Sequence, residues 1–527
     1  MIHKLILSTV AAIPATLFAG SFGPLLRSED DTFPEDCCAI HLIHITGGDF
    51  LMWGNSNGGV STDTWTWNAF TGKFSDSPMT IEEDVFCCGV SQLPDGRPII
   101  AGGNMNLGFG IDKTFLFNLS TRQWSTEPIL LNEDRWYPTL AELSDGTMTA
   151  ISGWAAPDDP GTEPDDPTWN KRVDVFNPAA ETWSDFMPTF DSTIHPDGMQ
   201  PFFYPFMFAY YDNSAPTTRK LFFAGRNTAH GPGEAYGFKT FSLAFEPGGG
   251  AGVWSLLGGN SDMEGSGAVI MIGGTDPIDA GTVYKFAGRR NGVIVDRGRK
   301  INLNDPPSIA VWVATADMPT GQNRTECNVV AMADGSIAVV GGTYSTVIQS
   351  LASTGRNNIL IYNPATDSYD EISPDFAGTR MYHSTSVFAP TATIFIAGGQ
   401  YKENAPPNTL RSNFTAQEYY PSYFEVDSIR PIITASPTTA YWNTTIQVTA
   451  TGPVDHFSLV KLSSTTHAND TTQRYIKVTE ASRTGNNYQL KMPKNGGIAP
   501  PGNYMLFAVS TSGVPSVARY IHIGPSS

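Results

Sequence analysis

Asp95-Gly96-Arg97-Pro98-Ile99-Ile100-Ala101-Gly102-Gly103 combines an Asp-Gly turn, a short apolar run and a pair of glycines. Asp-Gly between hydrophobic stretches is a strong signal of a β-hairpin, because both residues tolerate the positive φ angles of the tight turn. Asp145-Gly146 and Asp334-Gly335 also precede an apolar run that ends in glycine. The stretch therefore describes a hairpin that recurs along the chain.

The apolar run ending in glycine recurs at intervals of roughly fifty to seventy residues, close to the ~50-residue period of kelch repeats. The seven runs are Ile45-Thr46-Gly47-Gly48, Ile100-Ala101-Gly102-Gly103, Ile151-Ser152-Gly153, Phe223-Ala224-Gly225, Ile272-Gly273-Gly274, Val340-Gly341-Gly342 and Ala397-Gly398-Gly399. A second template (an aromatic residue, Asn, a polar turn and another aromatic) recurs in phase at Trp67-Asn68 to Phe74, Phe117-Asn118 to Trp124, Phe176-Asn177 to Trp183 and Tyr362-Asn363 to Tyr369. Each unit predicts one four-stranded sheet that packs radially against its neighbours. The repeats predict an all-β chain with a seven-bladed, kelch-type β-propeller over residues 35–426, whose fourth and fifth blades are the least regular.

After residue 426 the glycine signal stops and short strands continue to residue 527. They are predicted at Thr445–Thr449, His456–Lys461, Arg474–Val478, Tyr488–Lys491 and Tyr504–Val509, with Gly- and Pro-rich turns between them. This pattern predicts a C-terminal, immunoglobulin-like β-sandwich over residues 427–527.

Several features predict a secreted glycoprotein. Residues 1–20 read as a signal peptide, with Lys4 ahead of an apolar run that is shorter than the ~20 residues of a membrane span. Five glycosylation sequons begin at Asn118, Asn323, Asn413, Asn443 and Asn469. The net charge of −19 argues against nucleic-acid and anionic-membrane partners, because their phosphates would repel the chain.

Four short motifs carry candidate functional residues. They are Phe86-Cys87-Cys88-Gly89, Arg135-Trp136-Tyr137-Pro138, Arg380-Met381-Tyr382-His383 and Thr466-His467-Ala468-Asn469. The first three precede a glycine-ended run, so propeller symmetry should bring them to one mouth of the central channel. His467 joins them if a hairpin of the C-terminal domain reaches into that channel. Phenol oxygens and imidazole nitrogens suit a tetragonal Cu(II) site. Because adjacent side chains of a regular strand point to opposite faces, the backbone must bend for Tyr382 and His383 to contribute to the same site.

These motifs, in this order, resemble those of the copper radical oxidases, the family of galactose oxidase and glyoxal oxidase. The resemblance implies that Cys87 and Tyr137 form a thioether-linked radical cofactor made from the chain itself. It also implies that Cu(II) is bound by Tyr137, Tyr382, His383 and His467, with Tyr382 as the catalytic base. Such an enzyme passes two electrons from its substrate to O2 and releases H2O2.

Similarity to the glyoxal oxidase branch implies that the substrates are small aldehydes, as hydrates, or simple primary alcohols, and that peroxide-consuming peroxidases are possible partners. Two other interpretations stay open: a carbohydrate or primary-alcohol oxidase of the galactose oxidase type, and a non-catalytic kelch propeller that binds glycan or protein.

Individual residues also have alternatives. Trp154 lies one residue early compared with the tryptophan that stacks on the cross-linked tyrosine of galactose oxidase, so it either shields the radical or packs at a strand end. Cys88 competes with Cys87 as the cross-linked sulfur, and Cys87 could instead form a disulfide, for example with Cys327. The pairing of Cys37, Cys38, Cys88 and Cys327 is left open, and His195 and His230 either line the channel or lie on the surface.

Overall fold

The computed structural model describes residues 20–27, 37–56, 58–105, 109–155, 170–190, 203–226, 239–245, 252–265, 267–279, 281–347, 349–425 and 429–526. These residues form β-strands, with short 3₁₀ turns at Pro277–Asp279, Ala352–Thr354 and Ser422–Phe424 and no α-helix within those ranges. Nowhere in this described part does a helix have the length and apolar character needed to cross a membrane. The predicted signal peptide (except Gly20), His195 and His230 lie outside the described residues.

Five blades of the propeller are separate sheets. The second sheet contains Gly89–Gln92, Pro98–Ala101, Ile111–Asn118, Gln123–Trp124 and Ile129–Arg135; the third contains Thr139–Glu142, Met148–Ile151, Val173–Asn177 and Thr182–Phe186. The fourth contains Met207–Tyr210, Arg219–Phe223, Lys239–Phe245, Val253–Asn260 and Thr189–Phe190; the sixth contains Asn328–Ala331, Ile337–Val340, Ile359–Asn363 and Ser368–Ile372. The seventh contains Ser384–Phe388, Ile394–Gly398, Thr415–Tyr420, Ser21–Phe22 and Leu26–Arg27.

Two further groups of antiparallel strands are continuous with strands of the C-terminal domain. The first sheet contains His41–Ile45, Asp49–Trp53, Thr62–Asn68, Lys73–Phe74 and Met79–Ile81; the fifth contains Gly267–Ile272, Thr282–Phe286, Gly298–Asn302 and Val313–Ala314. Two small hairpins are insertions between strands of the fifth and the seventh sheet, respectively: Arg289–Arg290 with Val293–Ile294 and Gln400–Lys402 with Leu410–Ser412. The all-β class and the propeller are therefore confirmed, whereas seven separate blades are not.

The N-terminal strands belong to the last sheet of the propeller. Ser21 pairs with Tyr420 and Leu26 pairs with Ala416, both in antiparallel register. These strands precede residue 35, where the sequence pattern begins the propeller. Each is only two residues long, too short to show the period-2 alternation by which strands are recognised.

The repeated sequence templates have a clear structural basis. In the aromatic template, the paired rings face each other across a hairpin, as Trp67 does Phe74 and Phe117 does Trp124. The Asn68 side chain accepts hydrogen bonds from the Phe70 and Thr71 amides at 3.0 and 3.1 Å, as expected for a turn-forming asparagine.

The glycine that ends the apolar run is required by the neighbouring sheet. A Cβ atom on Gly102 (φ 77°) would lie 2.4 Å from the Arg135 carbonyl oxygen. One on Gly341 (φ 67°) would lie 2.5 Å from the Arg380 carbonyl oxygen. The recurring glycine thus permits each sheet to approach the entry of the next one closely.

The C-terminal domain is a two-layered β-structure. Its strands are Ile432–Ala435, Thr439–Tyr441, Thr445–Thr451, Val454–Lys461, Ser464–Thr466, Asn469–Asp470, Arg474–Thr484, Asn487–Lys491, Gly502–Ser510 and Arg519–Gly524. The long strand Arg474–Thr484 pairs with Val454–Lys461 in one layer and with Asn487–Lys491 in the other. All five strands predicted for this domain are confirmed, with boundaries that move by a few residues.

Candidate metal centre

The residues just before the first strand of several sheets share an unusual backbone conformation. We call the short segment that leads into such a strand its entry segment. Cys87 (φ 63°) and Tyr137 (φ 63°) lie two residues ahead of the second and third sheets, and Glu326 (φ 57°) lies two residues ahead of the sixth. His383 (φ 65°) directly precedes the seventh sheet. A left-handed backbone costs a non-glycine residue about 1–2 kcal/mol, so it persists where the surrounding structure enforces it.

Buried arginines hold three of these entry segments in place. Each donates a hydrogen bond through Nη1 to a backbone carbonyl at the end of the second strand of its own sheet. The three bonds are Arg135 to Ser152 (2.7 Å), Arg324 to Gly341 (3.1 Å) and Arg380 to Gly398 (2.7 Å). The guanidinium groups are buried, so each bond satisfies a carbonyl that no water could reach.

The entry segment of the seventh sheet is one residue longer than that of the third sheet. Tyr137 is the second residue after Arg135, whereas His383 is the third residue after Arg380. The extra residue allows both Tyr382 and His383 to face the same site, as the bend expected from the sequence requires. Their rings stack with centroids 3.8 Å apart.

A hairpin of the C-terminal domain delivers His467 to the propeller. Its strand Ser464–Thr466 pairs with the first sheet, where Thr466 lies opposite His41. The Asn469 side chain donates to Thr139 Oγ1 of the third sheet at 3.0 Å. Gln473 binds the sixth sheet by accepting from the Ala331 amide at 3.0 Å. The hairpin is therefore fixed to several sheets at once, with His467 (φ 52°) at its turn.

Four oxygen and nitrogen donors converge at this point. His383 Nε2 and His467 Nε2 are 2.8 Å apart, and the hydroxyl groups of Tyr137 and Tyr382 are 2.7 Å apart. Cys87 Sγ lies 3.8 Å from His467 Nε2. The five side chains are each at most 4% exposed.

The donor set fits a metal ion. Two neighbouring ligand atoms on a metal with bonds of about 2 Å lie about 2.8 Å apart. The distance between the two imidazole nitrogens and the distance between the two phenol oxygens are both close to this value. Two imidazole Nε2 lone pairs that face each other repel unless a proton or a cation lies between them. Two imidazoles and two phenols in a tetragonal arrangement favour Cu(II).

Hydrogen bonds orient both imidazoles, and the residues that make them were missed from the sequence. His383 Nδ1 is 2.7 Å from Gln400 Oε1, so Nδ1 carries the proton and Nε2 keeps its lone pair. His467 Nδ1 lies 2.6 Å from Thr466 Oγ1. Gln400 directly follows the Gly398-Gly399 pair, which is the one sequence signal that could have placed it near this site.

The two adjacent cysteines lie in different environments. Cys87 packs with Tyr137, Trp136, Phe203 and Tyr204, whereas Cys88 belongs to the apolar core between the first and second sheets. Burial raises the pKa of the Cys87 thiol, and hydrogen bonding to Tyr137 opposes that rise. Cys87 forms no disulfide, so the alternative pairing with Cys327 is not observed.

The backbone around Cys87 is held from two sides. Its amide donates to His41 Nε2 at 3.1 Å, and its carbonyl accepts from the Tyr137 amide at 3.1 Å. Burial lowers the pKa of His41 to about 3, so the ring is neutral and Nε2 is an acceptor. Tyr137 in turn accepts from the Tyr204 amide at 3.1 Å. His41 was not among the candidate residues, because nothing in its local sequence distinguishes it from a core histidine.

Aromatic rings surround Tyr137. Trp136 lies edge-on to it with centroids 4.0 Å apart, and Phe203 lies 4.9 Å away. Trp154 contacts Trp136 (5.4 Å) and Phe203 (4.6 Å). Trp154 therefore belongs to the same cluster, one ring further out, and its shielding role stays a prediction.

Both phenols are buried. Burial raises the pKa of Tyr137 and that of Tyr382 well above the usual range for a phenol. Hydrogen bonding to Tyr137 opposes the rise at Tyr382. Both groups are therefore protonated at neutral pH until a cation or an oxidant removes the proton.

Comparisons with known proteins agree with this geometry. Residues 430–523 match the domain model described as "Galactose oxidase-like, Early set domain". The chain is 26% identical to a galactose oxidase of Gibberella zeae over 515 residues, which is 92% of this chain and 68% of that protein. It is also 26% identical to the aldehyde oxidase GLOX of Vitis pseudoreticulata, over 85% of this chain and 83% of that one. These similarities support the resemblance to the copper radical oxidase family.

A solved structure shares the fold of this chain. A fungal alcohol oxidase of the AA5 family, in complex with copper, superimposes with a TM-score of 0.75. The two chains are 23% identical, and the match covers 96% of this chain and 100% of that one.

The sixth sheet contains a candidate site residue that the sequence analysis missed. Arg324-Thr325-Glu326 occupies the same place in its sheet as Arg135-Trp136-Tyr137 does in the third. Glu326 is 3% exposed, and its burial raises the pKa of the carboxyl group to about 8. The shared Arg-x-x spacing ahead of a glycine-ended run could have identified it.

Proposed function

We propose that the protein is a secreted copper radical oxidase that oxidises small aldehydes, as hydrates, or simple primary alcohols, with O2 as the electron acceptor and H2O2 as the product. The observation that carries the proposal is the convergence of two phenols and two imidazoles beside the Cys87 sulfur. A binding-only propeller has no need for this buried set of donors.

His383, His467, Tyr137 and Tyr382 would hold the metal. Copper in this site would take up one of the two electrons that the oxidation of an alcohol releases and would make the substrate hydroxyl more acidic. Gln400 and Thr466 keep the two imidazoles in orientation, because each contacts the Nδ1 atom opposite the ligating nitrogen.

Tyr382 and Tyr137 divide the removal of two hydrogens from the substrate. As the base, the Tyr382 oxygen takes the hydroxyl proton. As a phenoxyl radical, Tyr137 takes the hydrogen atom from the adjacent carbon and so accepts the second electron. The two phenol oxygens lie 2.7 Å apart, so both can act on one substrate molecule.

A thioether between Cys87 and Tyr137 would make that radical accessible. A sulfur substituent on the ring spreads the unpaired spin and makes the phenol easier to oxidise. The buried ring cluster of Trp136 and Phe203 excludes water from the radical, and Trp154 extends this shield by one layer. Cys87, rather than Cys88, is the proposed partner because it packs directly on Tyr137.

We also propose that the first and fifth groups of strands complete a ring of seven blades. Both have at least four antiparallel strands, and in each the inner strand pairs with the C-terminal domain. Continuity with that domain explains why they are not separate sheets. Peroxidases that consume H2O2 are proposed partners outside the cell.

Mass spectrometry of protein loaded with copper in air tests the cofactor. A peptide that joins Cys87 to Tyr137, lighter by two hydrogens than its parts, supports the proposal. Cys88→Ser is the matched control and should retain the cross-link, whereas Cys87→Ser should lose it. A wild-type protein that binds copper but forms no such peptide would contradict the radical cofactor.

Peroxide release from a panel of substrates tests the activity. Glyoxal and methylglyoxal are expected to exceed galactose, with glycerol and benzyl alcohol testing the simple alcohols. Preference for galactose would favour the carbohydrate oxidase, an interpretation supported by the similarity to galactose oxidase over 92% of the chain. Absence of both copper binding and peroxide release would leave the glycan- or protein-binding propeller.

A further inference from the structure

Glu326 presents a buried carboxyl group beside the proposed copper site. Neither of its oxygens has a hydrogen-bond partner. The backbone amide of Tyr382 faces the carboxyl group and opposes the rise in its pKa, and the Glu326 charge raises the pKa of the Tyr382 phenol. A buried polar group without partners is rare and costly, because it has given up its water without replacement.

Arg289 presents unpaired donors to the same region. Its Nε and Nη2 atoms are buried and have no hydrogen-bond acceptor. Its backbone is fixed, since the Arg289 amide donates to the Glu264 carbonyl at 3.0 Å and the Arg289 carbonyl accepts from the Glu264 amide at 2.9 Å. The adjacent Gly288 amide donates to the Arg324 carbonyl at 2.9 Å. Arg289 is thereby anchored to the segment that leads into Glu326.

The two side chains interact electrostatically without forming an ion pair. The Arg289 guanidinium lowers the pKa of the Glu326 carboxyl group, yet no oxygen–nitrogen contact joins the two, and all four polar atoms named above are unsatisfied. A group that both donates and accepts a hydrogen bond would satisfy both sides. A hydroxyl group does this: it donates to the carboxyl oxygen and accepts from the guanidinium.

We propose that Glu326 and Arg289 form a substrate subsite that binds a hydroxyl group on the carbon next to the one that is oxidised. The proposal rests on the proposed oxidase function and names its substrates as 1,2-diols and the hydrates of 2-hydroxyaldehydes. An alkyl chain would leave the buried donors and acceptors unpaired. A hydroxyl group pairs with both side chains at once, so hydroxyl compounds fit best.

The test compares 1,2-propanediol with 1-propanol, which differ by a single hydroxyl group at the neighbouring carbon. For the copper-loaded wild-type enzyme, kcat/KM for the diol is expected to exceed that for 1-propanol by about tenfold or more, because a site built to bind a hydroxyl strongly rejects the analogue that lacks it. Glu326→Leu should bring the ratio close to one, and Glu326→Gln should retain part of it.

Glu418→Gln is the matched control. Glu418 is a half-buried carboxyl group on the seventh sheet that accepts from Thr393 Oγ1 at 2.9 Å, so the ratio of the two substrates should remain at the wild-type value. If Glu326→Leu does not fold, Arg289→Met provides the same test, since it removes the donor side of the subsite. A diol preference that is absent in the wild type, or unchanged in the Glu326 or Arg289 variants, would overturn the subsite.

Ligand-observed NMR on the metal-free protein separates this proposal from the oxidase function. Saturation transfer to 1,2-propanediol that exceeds transfer to 1-propanol, and that is lost in Glu326→Leu, would support the subsite even if the copper-loaded protein released no peroxide. Peroxide release from both alcohols without any such preference in binding or turnover would leave the oxidase intact and remove the subsite.

Discussion

Replacement of His41 by leucine should slow the formation of the Cys87–Tyr137 cross-link. His41 Nε2 accepts a hydrogen bond from the buried Cys87 amide at 3.1 Å. Leucine fills a similar volume but has no acceptor, so the amide becomes a buried donor without a partner. The change acts on the backbone of Cys87 and leaves the sulfur, the phenol and the imidazole ligands in place.

The magnitude follows from two terms. An unsatisfied buried amide costs about 1–3 kcal/mol. The left-handed backbone of Cys87 (φ 63°) stores a further cost of about 1–2 kcal/mol, which the chain can release once the hydrogen bond is gone. We therefore expect the reactive backbone conformation to lose at least about 1–3 kcal/mol of stability relative to a relaxed conformation. Since about 1.4 kcal/mol corresponds to tenfold, the cross-link should form roughly tenfold more slowly.

The assay follows the cross-linked fraction by mass spectrometry after copper and air are added to the metal-free protein. His44→Leu is the matched control: it removes a buried histidine from the same strand, but that ring contacts Tyr520 Oη at 2.9 Å. Residues three apart on a strand point to opposite faces, so the control should lose stability without slowing the cross-link. Equal rates in His41→Leu and the wild type would refute the positioning role of His41, and His41→Gln, which restores an acceptor, should recover part of the rate.

Three other outcomes are expected. Arg135→Met should lower the free energy of unfolding by about 3–5 kcal/mol, because it leaves the fully buried Asp174 carboxylate without its arginine partner. Chemical denaturation would measure this loss. The control variant Arg172→Met breaks a half-exposed ion pair and should lower the free energy of unfolding by at most about 1 kcal/mol. His44 has a folded-state pKa of about 3, lowered by burial from 6.5, so the unfolded chain binds its proton first and stability should fall as the pH drops below 6.5. The contribution of His44 to this loss should reach about 2 kcal/mol at pH 5. His44→Leu should lack it and keep only the similar contribution of His41, whose pKa is also about 3. Thermal unfolding at pH 7 and pH 5 compares the two proteins, and an equal pH dependence would contradict the assignment. Tyr137→Phe should abolish peroxide release and the cross-link, and an oxygen electrode that still records wild-type turnover would exclude the radical role.

Much of the architecture was predictable because it repeats. Asp-Gly turns, glycine-ended runs and the aromatic-Asn template each encode local geometry, and each occurs in several sheets. The C-terminal strands, such as Val454–Lys461, were predicted because alternation and turn residues are local as well. The very short strand Ser21–Phe22 was missed, since two residues carry no period.

The candidate metal ligands were accessible from sequence for a different reason. Tyr137 and His383 stand at the same offset from the last glycine of a glycine-ended run, and Tyr382 is the residue before His383. The symmetry of a propeller therefore relates these positions without knowledge of the contacts. Glu326 has the same offset, and it was overlooked because a glutamate does not resemble the ligands that were sought.

By itself, the sequence determined that the chain is all-β, that it repeats, and which four motifs supply donors, because turns, strand periods and residue types are local properties. Only the tertiary structure decided that His467 reaches those donors on a hairpin from another domain. It alone separated Cys87 from Cys88 and placed His41 behind the Cys87 amide. Such contacts join residues up to hundreds of positions apart in the chain, and they depend on how neighbouring sheets pack, which no local pattern records.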